Sequence, residues 1–550
     1  MFDLIIKNGK VLDGSGNPWR YDDIGIIGDN IEKIGDLKPA SSKDIIDAKG
    51  RFVSPGFIDP HTHSDLIFAL DKKSQTDLMK GRVTQGITTE VVGNCGIGFA
   101  PLEGESRIIV QKEGHPFTPK GINWNWSSHE DFLNYLEKNG VTSNIIMLIS
   151  HGPVRIAAMG MKADIPTKQE MNKMKRLVEE GMDAGAFGMS TGLIYPPGIY
   201  SRTSELIELS KIVSKYDGVY ASHIRGSSEN LIPAVKELLK IGMEANIGVR
   251  HSHHGAVGKE YWPKLDQTIE MEEKAWDRGI RCTFDVVPYT QLMPPLVHIY
   301  PPWAKIDGLL LENLKDKKIR KRLAIEVENT ISTWPPWTKK GGWIQNFVKA
   351  LGWDNIYIFS VVSNKNKPYM NQSLLEYAQL IDKTPFEAAC DLLLEEEREG
   401  GEVRIAINVS GDDTNEEPLI KLIRSPIGGP CTDAWDVGWK KPQPRAYGAF
   451  PRFLCRYVKD KKVIRVEEAI RRMTSLQAQT FGLKKRGMLK EGMKADINIF
   501  DLNRIKDKAT YNNPRQISEG IDCVIINGKV AVREGEYRPS LFGKVLKKER

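Results

Sequence analysis

Cysteine is scarce. The chain has six in 550 residues, at positions 95, 282, 390, 431, 455 and 523, and no two of them share a paired spacing. That excludes a disulfide framework and fits a reducing cytoplasm. No apolar run is long enough to span a bilayer, so no membrane partner is expected. The opening stretch "MFDLIIKNGKVLDGSG" has no basic segment followed by a long apolar one, and does not read as a signal peptide. Lys and Arg number 78 against 71 Asp and Glu, a net charge of +7. No Lys/Arg block is interleaved with aromatics, so no nucleic-acid partner is expected either. The short basic end "GKVLKKER" reads as a solvated tail. Histidine is also rare, at ten residues, which makes the positions of those ten informative.

The composition, 40% hydrophobic and 27% charged, is that of an ordinary globular protein, and the length suits a large domain plus a lesser one. Both ends of the chain use the same hairpin pattern. "IIKNGKVL" begins at Ile5 and "VIINGKVA" at Val524, each with an Asn-Gly turn between apolar pairs. Two β segments flanking a long middle suggest one small β-sandwich built from both termini, residues 1–56 and 487–550. The middle, 57–486, alternates short apolar strands with helical patterns. Strand-like stretches occur near 57–60 and at 87–95, 144–152, 186–192, 218–224, 246–254 and 280–287, with another ending at Asp433. Segments such as "TKQEMNKMKRLVEEGMDAG" lie between them, with helical periodicity and a glycine stop. Eight βα units predict an α/β fold, a (β/α)₈ barrel. The stretch from about 291 to 402 breaks this rhythm with "MPPLVHIYPPWAKIDG" and "STWPPWTKKGGW", and reads as an inserted lid over one barrel face. "VRIAINVS" (403–410) leaves the strand count open by one.

The stretch "GFIDPHTHSD" (56–65) places His61 and His63 two residues apart at the end of the first strand. Residues two apart share a face, so both imidazoles point into the same space at the carboxyl end of the barrel, where barrel enzymes place their sites. Alone, such a pair is a weak signal. Six of the ten histidines, however, fall at or just beyond three strand ends: 61, 63, 223, 251, 253 and 254. Cys95 closes the second strand in "VVGNCGIG". A lone cysteine is more often a buried small hydrophobe, but here it follows the histidine pair. Cys95, His223 and His253 offer the soft and borderline donors that suit zinc. Asp433 in "CTDAWD" reads either as a helix cap or as a carboxylate that moves protons beside a metal. Asp412 and Asp413 are rival carboxylates that better fit a helix start.

The motifs "PGFIDPHTHSD", "GITTEVVGNCGIGFAP", "GMSTGLIYPPG", "SHIRG", "SHHGAVG", "TDA" and "PRAYGAFPRFLCRYV" occur in this order over nearly the whole chain. Together they resemble the N-acyl-D-amino-acid deacylase (D-aminoacylase) branch of the amidohydrolase superfamily. The resemblance implies a barrel with a terminal β-sandwich and one zinc ion held tightly by Cys95, His223 and His253. It implies a second, weaker metal position at His61 and His63, a catalytic Asp433, and Tyr195 beside the scissile carbonyl. The implied partner is a small-molecule amide.

The sequence also departs from that pattern. The family's S-H-H-K lysine, which helps hold the substrate carboxylate, is Gly255 here. A tyrosine contact is Val287, and a serine is replaced at Met293. The carboxylate-binding arginine is kept as Arg445, but its preceding histidine is Gln443. Losing one charged hydrogen bond of this kind costs roughly 1.5–3 kcal/mol, so the expectation is an intact hydrolytic centre with an altered carboxylate pocket. Two alternatives stand beside it. One is a hydrolase of cyclic amides or other non-peptide C–N bonds, of the hydantoinase or dihydroorotase kind. The other is a non-catalytic scaffold, disfavoured because every expected ligand is present.

Overall fold

The structure is a computed structural model that describes residues 1–38, 40–338, 343–438 and 441–549. Its centre is an eight-stranded parallel sheet: β1 (Phe57–Asp59), β2 (Ile87–Val92), β3 (Asn144–Ser150), β4 (Gly188–Gly192), β5 (Val219–His223), β6 (Gly248–His251), β7 (Cys282–Val286) and β8 (Gly428–Pro430). Each strand pairs with its sequential neighbour. Every residue of β2 and β3 is buried, as expected of barrel strands covered outside by crossover helices and inside by the packed barrel interior. Some of those helices start on side-chain caps. Thr167 and Glu170 form a reciprocal capping box for Lys168–Asp183, which satisfies backbone donors the first turn cannot.

The ring closes just beyond the ends of β1 and β8. Asp433 N donates to His61 O (2.8 Å) and His63 N to Ala434 O (3.3 Å). Asp59 clamps the same seam, accepting from Thr432 N (3.1 Å) and Thr432 Oγ1 (2.6 Å). Residues some 370 positions apart in sequence thus become neighbours.

The two chain ends share one continuous nine-stranded sheet. The strand Phe52–Pro55 pairs antiparallel with Ile497–Phe500 and parallel with Phe2–Val11. The sheet encloses its own core of residues from both termini, among them Leu4, Ile24, Val53, Ile497 and Ile525.

A three-stranded antiparallel sheet, Gln291–Leu292, Ile356–Ser360 and Arg404–Asn408, belongs to the inserted segment. The apolar stretch at 403–410 is therefore part of this sheet and not of the barrel. The segment has a separate core that includes Leu296, Tyr300, Ile358, Phe386 and Ile405.

One expectation is corrected here. The basic tail is not a free solvated end. Ile145 N donates to Lys544 O (3.0 Å) and Leu546 N to Ile145 O (2.9 Å), which lays the tail along β3. The insertion's tryptophans pack within structure. Trp343 is in the inserted core and Trp303 against it, while Trp337 stacks on Arg225 at 5.0 Å. The quoted "TKKGG" loop between them falls largely outside the described residues. Among the described residues no helix is long and apolar enough to cross a membrane.

Candidate metal centre

Just past β2 the chain turns through Gly93, Asn94, Cys95 and Gly96. Cys95 adopts a left-handed conformation, φ 56°. A side chain on Gly96 would put its Cβ 2.7 Å from Gly192 N, so only glycine lets this turn sit against β4. His253 (φ 38°) and Asp433 (φ 42°) are left-handed as well. Each such residue costs of order 1–3 kcal/mol, and all three aim side chains at the same point.

The Cys95 thiol is the focus. Its Sγ lies 3.2 Å from His61 Nε2, 3.5 Å from His253 Nε2 and 3.9 Å from His223 Nδ1. Ligand atoms of His61, Cys95, His253 and Asp433 all fall within 4.8 Å of one another. Asp433 Oδ1 is 3.4 Å from His61 Nε2 and 3.3 Å from His63 Nε2, and its Oδ2 is 3.0 Å from Arg445 Nη2. The structure thus gathers five of the expected residues directly around the thiol and carboxylate, with His223 at the edge. Tyr195 lines the same cavity, and its hydroxyl donates to the Cys95 carbonyl (2.6 Å).

Electrostatics follow from this packing. Burial pushes the Cys95 thiol up, but the charge of His61 and hydrogen bonds from His223 and His253 outweigh it and hold the thiol well below its ordinary range. Burial likewise raises Asp433. Arg445, then His61 and His63, overcome that and keep the carboxyl ionised, well below the usual carboxylate range. Tyr195 is driven well above its ordinary value by burial and the neighbouring thiolate, and stays protonated. One thiolate and several imidazoles in a dry pocket form a donor set that matches zinc in softness and number.

Sequence reasoning missed Asp285, at the end of β7. Its carboxylate accepts from the His253 backbone N–H (2.6 Å) and from Arg250 Nε (3.0 Å), and lies 3.3 Å from His61 Nδ1. It sits on the Nδ1 side of His61, opposite the nitrogen that faces Cys95. A charged residue inside the otherwise apolar strand "CTFDV" was the available signal. The rival Asp412 is occupied elsewhere, accepting from Thr414 N and Asn415 N, both at 2.8 Å.

The centre opens into a cavity of about 150 Å³. The inserted segment supplies much of its wall, through Leu292, Met293, His298, Gln345, Ile407 and Val409, while Phe117 and Trp435 come from barrel loops.

Comparison with known proteins agrees with this architecture. The amidohydrolase family pattern matches residues 44–205 and 418–532. The chain is 30% identical over 550 residues to the D-aminoacylase of Alcaligenes xylosoxydans xylosoxydans, covering 99% of this chain and 97% of that protein. The crystal structure of N-acyl-D-glutamate deacylase from Bordetella bronchiseptica, complexed with zinc and a phosphonate inhibitor, is 26% identical and superimposes with a TM-score of 0.78 over 99% of both chains. A D-aminoacylase structure described for its binuclear metal centre, with one-metal activation and second-metal attenuation, gives 26% identity and a TM-score of 0.78 over 100% of both chains.

Proposed function

The chain belongs to the D-aminoacylase branch of the amidohydrolase family, and from that premise we propose that it is a zinc-dependent hydrolase releasing the acyl group from N-acyl-D-amino acids or their derivatives. The observation that carries this reading is the meeting of one thiol and three imidazoles, 3.2–3.9 Å apart, beside an ionised Asp433 at the mouth of a barrel. Cys95, His223 and His253 would hold the tight ion, with His61 and His63 forming a weaker second position. Bound there, zinc supplies Lewis acidity toward the scissile carbonyl and lowers the pKa of a water toward about 7.

The protein's own groups do the rest. Asp433, kept anionic by Arg445, takes the proton from the attacking water and returns it to the leaving nitrogen. Asp285 holds His61 and the His253 backbone in register, so the ligand geometry is set before substrate arrives. Tyr195 is a neutral hydroxyl on the cavity wall; its one proton goes to the Cys95 carbonyl (2.6 Å) and would have to turn from it to reach a developing oxyanion. Phe117 and Trp435 keep the cavity apolar. The six cysteines are unpaired, which suits a cytoplasmic setting.

The test is a substrate panel of N-acyl-D-amino acids, their neutral amides and hydantoins, with zinc quantified on the same sample. Turnover of the open-chain compounds that tracks zinc content supports the reading. Turnover of hydantoins alone would transfer the assignment to cyclic amides.

A further inference from the structure

A second chamber adjoins the metal centre, and no step of the hydrolysis uses it. Its volume is about 250 Å³, against about 150 Å³ for the cavity at the metal ligands. Ile97, Phe117, Tyr195, Pro295, His298 and Trp435 line both spaces, so the two meet across a boundary one side chain deep. Beyond that boundary the wall includes Val110, Ile156, Met161 and Val297. Its polar side chains are turned to protein partners. His151 Nε2 lies 2.9 Å from Glu205 Oε1, Lys305 Nζ donates to Val297 O (3.5 Å), and Glu402 accepts from Arg404 Nε (3.1 Å). Glu113 is exposed and marks the outer rim. The chamber therefore offers a ligand mostly apolar surface.

Its place in the ring says which part of the substrate reaches it. Asp433 returns a proton to the leaving nitrogen, so the amine half lies on the Asp433 side. Asp433, Gln443 and Arg445 line the first cavity and not the second. The second chamber is walled by Gly152, just past β3, and by Gly192 and Tyr195, at and beyond the end of β4. In the closed ring β4 stands opposite β8, whose end carries Asp433. A trigonal carbonyl carbon directs its acyl substituent away from its nitrogen. With the nitrogen at Asp433, the acyl substituent points across the centre toward Tyr195 and into this chamber.

We infer that the second chamber receives the acyl chain of the substrate, and that this chain is an apolar one of about six to ten carbons. An apolar cavity of about 150 Å³ holds a benzene molecule, so one of 250 Å³ holds about ten carbons. Hydrolysis breaks the C–N bond, puts the hydroxyl of water on the acyl carbon and its proton on the nitrogen, and releases a medium-chain fatty acid with the free amine. This assignment rests on the hydrolase reading for the direction in which the substrate lies.

The test uses the zinc-loaded full chain with N-acetyl-, N-decanoyl- and N-tetradecanoyl-D-leucine. Each buried methylene is worth about fourfold, so the decanoyl compound should exceed the acetyl one in kcat/KM by at least about a hundredfold. The tetradecanoyl compound, too long for the chamber, should gain no more than about threefold over decanoyl. Met161 and Val297 line the second chamber and not the first. Met161→Trp and Val297→Trp fill it, and should each cut the decanoyl-to-acetyl ratio below about tenfold. Calorimetry with decanoate and acetate reads the chamber without catalysis. If no acyl-leucine is hydrolysed but decanoate binds more tightly than acetate, and the tryptophan variants abolish the difference, the hydrolase reading fails and the chamber assignment stands. If turnover occurs with the acetyl compound equal or better, or if both variants leave the preference unchanged, the chamber assignment is wrong and the hydrolase reading survives. A gain that continues through tetradecanoyl would put the chain on an open surface and overturn the assignment, as would equal binding of decanoate and acetate.

Discussion

Four consecutive residues, His251 to His254, feed two buried clusters of similar composition. One contains His253 with Cys95, His61 and Asp433. The other joins His251, His254 and Glu272. In the second, Glu272 Oε1 lies 2.7 Å from His251 Nδ1 and Oε2 lies 3.0 Å from His254 Nδ1, while His254 Nε2 is 3.0 Å from Thr268 Oγ1. The imidazoles stack at 4.1 Å between ring centroids. One carboxylate thus lies against both rings, although His254 Nδ1 and Glu272 Oε2 make no formal hydrogen bond. In the first cluster the thiol meets three imidazoles, three of its contributors hold left-handed backbone, and the group faces a cavity. Proximity of ligand-type residues does not separate a centre from a scaffold. Backbone strain and a thiol among the donors do.

The largest effect that would sharpen this contrast is on catalysis. Asp433→Asn should lower turnover by at least about a thousandfold while zinc content, measured by plasma emission, stays near that of the wild type. A rate close to normal would remove Asp433 from its role. Next comes metal retention. Cys95→Ser or His253→Asn should weaken zinc binding by more than the roughly 10–100-fold typical of losing an outer partner, whereas Glu272→Gln should leave zinc content unchanged. Loss of zinc from Glu272→Gln would break the distinction between the two clusters.

Smaller still is the stability term. Glu272→Gln should cost about 2 kcal/mol in urea unfolding, because a buried imidazole loses a charged acceptor. The smallest effect is the pH dependence of that cost. Burial raises the Glu272 carboxyl, but His254 and His251 outweigh it and bring it from 4.5 to about 2. A depressed acid stabilises fully above its unfolded value and loses that stability as pH falls toward the folded one. The part of the difference between wild type and Glu272→Gln that comes from the carboxyl should therefore shrink as pH falls below about 4.5. A difference that grows on acidification would contradict the assigned pairing.

The βα rhythm was legible because strand and helix periods are local properties. Stretches around all eight barrel strands stand out in the sequence, as does the hairpin about Asn527 and Gly528, but the matching pattern at the other end makes no turn: Asn8 and Gly9 lie inside the single strand Phe2–Val11, at a register shift in its pairing. The apolar stretch at 403–410 was ambiguous for a physical reason: a run such as "VRIAINV" says strand but not which sheet, and only its antiparallel pairing with Ile356–Ser360 puts it in the insertion. The basic tail misled because charge suggests solvent, while its backbone, which carries no such mark, supplies the hydrogen bonds to β3. The tryptophans suggested a lid, yet none of the four Pro-Trp tryptophans faces the cavity; the insertion contributes Phe347, beside Phe117, Tyr195 and Trp435 from the barrel loops. Asp285 escaped notice because a single acid in a strand looks like any other until its neighbours are known.

What the sequence determined by itself is the repeat that builds the barrel, the residue types placed at its strand ends and the substitutions that remove a cation at position 255. Those features depend on short-range patterning and on side-chain chemistry. Only the tertiary structure decided which donors meet, because closure of the ring between β1 and β8 brings Asp433 to His61 and His63, and the inserted segment brings Gln345 and Ile407 to the same cavity. Such contacts join residues more than a hundred positions apart, and their distances are set by packing, which no local pattern encodes.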